Sequence, residues 1–118
     1  MVKKISDTEQ LIDFIVDVLI EKKAHDVVIL NISQKSSITD YFVIANGEVA
    51  KHVKALADEL EDQMRTKMKR KLLRSDGLIE KEWIVLDYGE IIVHLFIPSQ
   101  RQLFRLEDLW HPKKIKVV

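Results

Sequence analysis

Cysteine is absent from the 118 residues, which excludes disulfides, thiolate metal sites and cysteine nucleophiles. Glycine and proline are scarce, at three and two, so a disordered or fibrous chain is not expected. An excess of one charge is also lacking: 19 Lys and Arg balance 19 Asp and Glu, for a formal net charge of +0. A wholly basic nucleic-acid coat is thereby excluded, while a local basic face is not, because partners feel local potential more than the sum. No stretch approaches the roughly 18 uncharged apolar residues that cross a bilayer. The opening residues lack the apolar run and small-residue cleavage site of a signal peptide, so the chain reads as cytoplasmic. What is present is a chain 47% apolar and 32% charged, enough for one core and one domain over residues 1–118.

Hydrophobic spacing orders the elements. Ser6-Asp7-Thr8-Glu9 has the form of a capping box, and apolar residues then recur at helical spacing as far as Glu21. Two short runs rich in branched side chains, 27–32 and 41–45, read as buried strands. Asn46-Gly47 could close a hairpin, but Val49, Val53, Leu56, Leu60 and Met64 follow at helical spacing, so the pair opens a long helix. Residues 71–74 are expected to form a third strand with Ser75-Asp76-Gly77 as its turn. Residues 83–87 and 91–97 form a hairpin through Tyr88-Gly89-Glu90. Ser99-Arg101-Gln102 offers a capping box for a helix carrying Leu103, Leu106, Leu109 and Trp110 and closed by Pro112, with 113–118 as a frayed tail. The fold class is α/β, or α+β: a mixed sheet of about five strands flanked by helices.

Most familiar chemistries lack their residues. The four histidines, at 25, 52, 94 and 111, fall on different elements without ligand spacing, so no metal site is expected. Nucleotidyl transfer uses paired carboxylates around Mg²⁺, commonly at i and i+2 on a strand, and no strand here carries such a pair. Asp40, Asp87 and Glu90 instead mark strand ends and a turn. The Asn46-Gly47-Glu48 turn holds a single glycine, and Glu48 places negative charge where a phosphate would lie. His94, within the strand 91–97, reads as a sheet histidine making a hydrogen bond. Arg65 to Arg74 carries six positive charges and no acid, without an aromatic to stack on bases; a solvated helix end and an RNA contact are both open readings.

The hairpin is the physical anomaly. Trp83 and Val85 share one side of their strand with Asp87, while Ile84 and Leu86 point the other way with Tyr88, so both faces are apolar. Either helices cover both, or an aromatic patch centred on Trp83 stays open as a protein-binding surface.

Three segments taken together, residues 36–47, 83–96 and 106–110, resemble the ribosomal silencing factor family, also called Iojap-like. Their order and spacing fit from about Ile5 to Trp110. The resemblance implies a nucleotidyltransferase-like topology without the catalytic carboxylates, hence no enzyme and no cofactor. It implies binding to the large ribosomal subunit through its protein fourteen, at the face that meets the small subunit. Occupying that face would block subunit joining and repress translation when nutrients are short. By the family pattern Trp83 and Val85 are apolar anchors, Asp87 and Glu90 face basic groups of the partner, and Asp40 and Tyr41 neighbour them. Tyr88 and His94 complete the partner-binding set. Independently of the resemblance, an open apolar patch would let the free protein pair as a homodimer, and a minor rRNA contact is left open as a further partner. The competing reading is a small nucleotidyltransferase-like, nucleotide-binding enzyme, which requires Asp40, Asp87 and Glu90 to converge.

Overall fold

The computed structural model describes residues 6–34 and 36–105, together with the backbone of 113–116. The first helix, α1 (Asp7–Glu21), begins where the sequence places it: the Ser6 side chain accepts the Glu9 backbone N–H at 3.1 Å. Strands β1 (His25–Asn31) and β2 (Tyr41–Asn46) pair antiparallel, and the long helix α2 (Ala50–Lys67) follows. The Asn46-Gly47 turn opens that helix rather than a hairpin. Gly47 is required for close approach, since a Cβ there would meet the Val53 backbone nitrogen at 2.8 Å. Strands β3 (Arg74–Asp76), β4 (Trp83–Asp87) and β5 (Ile91–Phe96) come next, then the short helix α3 (Pro98–Phe104) and β6 (Lys113–Lys116).

The six strands form one mixed sheet in the order β3-β4-β5-β2-β1-β6, with β5 lying parallel to β2 and the other pairs antiparallel. Helix α2 carries the chain from β2 across the sheet to β3. Helices α1 and α2 bury the inward faces of the strands, packing Ile15, Leu19, Leu56, Leu60 and Met64 against Val43, Ile84, Leu86, Val93 and Leu95. A second cluster on the opposite face gathers Val28, Leu30, Ile32, Phe42, Ile44 and Phe96, with Trp83 and Ile92 partly buried against it.

Four expectations are corrected. Residues 71–73 precede the third strand, which occupies Arg74–Asp76: Arg74 is in the strand as expected, while Ser75 and Asp76, expected in the turn, pair with β4, and the turn comes after them. Pro98 occupies the first turn of α3 and Ile97 its N-cap, with no side-chain cap bond, so the Ser99 capping box does not form. That helix stops at Phe104, with Arg105 left-handed at φ 46°; the continuation to Trp110 and Pro112 lies outside the described residues. The frayed tail is in part a strand, because Lys113–Lys116 pairs with β1.

Candidate interaction face

Alternation along β4 sends Ile84 and Leu86 into the helix-covered core and turns Trp83, Val85 and Asp87 to the other side. The register of β4 on β5 and of β5 on β2 extends this into three rows: Trp83, Phe96, Asn46; Val85, His94, Ile44; and Asp87, Ile92, Phe42. β4 is flanked by the three-residue edge strand β3 on one side and by β5 on the other, and Trp83, Val85 and Asp87 are each only partly buried on this face.

Aromatic rings hold the indole. Trp83 stacks on Phe96 with centroids 4.8 Å apart and a 26° interplanar angle, and Phe104 of α3 approaches it at the same centroid distance. The indole N–H donates to His94 Nδ1 at 3.1 Å, and the His94 ring meets Phe42 edge-to-face at 4.6 Å. Arg101 fixes α3 in place by donating to Asn46 Oδ1 at 3.2 Å, at the end of β2. Phe104 is 45% exposed and continues the patch beyond the sheet. Sequence periodicity missed it, treating Leu103 as the start of a buried stripe, whereas α3 buries no residue fully.

His94 is only 6% exposed, and burial pushes its pKa down to about 4, so the ring is neutral at pH 7. An indole offers only a donor, so Nδ1 accepts and the ring proton sits on Nε2. That Nε2 is buried without a hydrogen-bond partner among the described residues.

The acidic candidates are engaged locally. Asp87 Oδ1 accepts the Gly89 N–H at 2.8 Å, bracing a turn in which Gly89 takes a φ of 93°. The Glu90 carboxylate pairs with Arg70, and the Glu90 carbonyl accepts the N–H groups of Asp40 and Tyr41 at 3.1 and 3.0 Å. The backbone thus brings Asp40, Tyr41 and Glu90 to one end of the sheet. Among the described residues no group of three or more His, Asp or Glu side chains is placed to hold a metal ion.

Two tyrosines are not brought to the Trp83 face. Tyr41 packs against the helix-side core, and Tyr88 is enclosed there at 1% exposure. The Tyr88 ring shares the parity of Ile84 and Leu86. His94 likewise lies beneath the surface. In the basic run, Arg65 pairs with Asp62, Arg70 with Glu90, and Lys69 donates to the Thr66 carbonyl, so at least three of its six cationic side chains are engaged among the described residues. No helix among the described residues is long and apolar enough to cross a membrane.

The chain is similar to known proteins over most of its length. Residues 5–118 match the family model described as ribosomal silencing factor during starvation. The ribosomal silencing factor of Zymomonas mobilis is 36% identical over 104 residues, covering 88% of this chain and 77% of that protein. The ribosomal silencing factor of Halalkalibacterium halodurans is 33% identical over 102 residues, covering 86% of each. A crystal structure of a Chromobacterium violaceum protein superposes with a TM-score of 0.86 at 24% identity, covering 92% of this chain and 89% of that one, which shows the shared fold. On the family match and these identities, the chain belongs to the ribosomal silencing factor family.

Proposed function

We propose that this protein binds the large ribosomal subunit through its protein fourteen, on the face that meets the small subunit, and represses translation by preventing subunit joining. Its action is occupancy, with no reaction and no cofactor. The observation that carries this reading is the indole of Trp83, braced by Phe96 and Phe104 yet only partly buried. A rigid, partly exposed aromatic beside Val85 and Asp87 has the composition of an interface anchor with a polar rim. Asp40 and Glu90, at the end of the same sheet, would add negative charge towards a basic partner surface.

The test is co-sedimentation with purified large subunits followed by a joining assay. The wild-type protein should pellet with large subunits and reduce the yield of joined ribosomes. Trp83→Ala, checked as folded by circular dichroism, should lose both effects, because truncating a buried aromatic anchor typically costs at least about 2 kcal/mol of binding. Unchanged affinity of the variant would remove Trp83 as the anchor.

A further inference from the structure

The position of His94 is costly in a way that asks for a reason. Its ring sits among Phe42, Phe96 and Trp83, at 6% exposure, where an apolar ring would pack without any polar debt. The imidazole instead leaves Nε2–H buried without an acceptor among the described residues. The polar contact it gains in return, among those described, is the indole N–H of Trp83 on Nδ1, at 3.1 Å.

We propose that His94 is a positioning residue for the docking face: buried on the same side of the sheet, it accepts the Trp83 indole N–H and fixes the orientation in which that ring meets the partner. The inference rests on Trp83 being the anchor, and it assigns His94 a role without partner contact. The geometry supports it from two sides. Stacking on Phe96 sets the plane of the indole, and a stack alone leaves open a half-turn flip of the ring about its Cβ–Cγ bond. The N–H to Nδ1 bond removes that freedom. His94 itself is fixed by its place in β5, opposite Val85 and Ile44, and by the edge of Phe42. An anchor held in its bound orientation before contact spares the ordering cost of one large side chain on association, which is worth several-fold and up to about tenfold in affinity.

The direct measurement is on the wild-type protein, uniformly labelled with ¹⁵N: a through-hydrogen-bond nitrogen–nitrogen coupling between Trp83 Nε1 and His94 Nδ1. His94→Phe keeps an aromatic ring and deletes the acceptor; His94→Asn places an amide oxygen near the Nδ1 position. The expected result is an observable coupling, a loss of about tenfold in large-subunit affinity for the folded His94→Phe variant, and recovery to within about twofold for His94→Asn. Absence of the coupling overturns the proposal, and so does His94→Phe binding as tightly as wild type while Trp83→Ala does not bind. If Trp83→Ala binds as wild type, the anchor reading falls and this proposal with it. Should His94→Phe fail to fold, the wild-type coupling together with the His94→Asn affinity decides: no coupling, or His94→Asn binding as weakly as Trp83→Ala, overturns it.

Discussion

Arg70 ties the segment after α2 to the β4–β5 turn: its guanidinium donates to the Tyr88 carbonyl at 2.9 Å and pairs with the Glu90 carboxylate. One arginine of the basic run therefore braces the tip of the hairpin whose first strand carries Trp83. Both partners are about one-third exposed, so the pair is screened and its worth is modest. Arg70→Met is expected to lower stability by about 1 kcal/mol, mainly through the lost bond to the Tyr88 carbonyl. Urea unfolding measures it, and an unchanged midpoint would mean that the turn holds itself.

Acid should weaken the fold through His94. Its pKa in the fold is pushed down to about 4 by burial, from an ordinary 6.5. Between these values the unfolded chain binds a proton there that the folded chain refuses. The contribution is fully present above about pH 6.5 and is lost as pH falls towards about 4, amounting to about 3 kcal/mol. Urea midpoints of wild type and His94→Phe, compared from pH 7 down to pH 4.5, isolate this group. Parallel profiles for the two proteins would contradict the assignment.

Alkali acts through the other enclosed ring of the hairpin. Burial raises the Tyr88 phenol to about 12, with the charge of Glu61 adding to the rise. The folded chain keeps a proton that the unfolded chain, near 10, gives up, so stability falls as pH climbs from about 10 to about 12. An ultraviolet titration should show a tyrosine ionising only near pH 12, and its loss in Tyr88→Phe identifies the residue.

Charge at the rim should govern encounter more than residence. Asp87→Asn retains an oxygen to accept the Gly89 N–H and removes the charge. Association with large subunits should slow several-fold at low salt, with the difference fading as ionic strength rises. Stopped-flow association rates across a salt series report this; a purely dissociative effect would place Asp87 in the centre of the contact.

A partly exposed aromatic patch should also find itself. The free protein is expected to self-associate at tens of micromolar through the Trp83 and Phe104 patch, with Trp83→Ala weakening the association. Analytical ultracentrifugation decides between this and a monomer.

Much of the architecture was legible where side chains carry the instruction. The Ser6 cap, the helical stripe of α2 and the β4–β5 hairpin all follow from local chemistry and periodicity. Strand β6 was not, because Lys113–Lys116 has the composition of a solvated tail and its pairing with β1 is made by backbone groups that any residue supplies. The third strand slid because Arg74–Asp76 carries turn-forming residues at a sheet edge, where pairing on β4 outweighs local preference. In the candidate site, Trp83, Val85 and Asp87 were readable from alternation. The same alternation already set Tyr88 with Ile84 and Leu86, and the structure encloses it there. What no pattern could supply was the diagonal meeting of Trp83 with His94, which depends on the register between two strands.

The seating of Lys113–Lys116 against β1 has a practical corollary for handling this molecule. Trimming those four residues would bare a row of backbone donors and acceptors along β1, an invitation to intermolecular strand pairing and precipitation. Affinity handles and fluorescent fusions therefore belong ahead of Ser6, where the chain enters α1, so that the far border of the sheet keeps its cover.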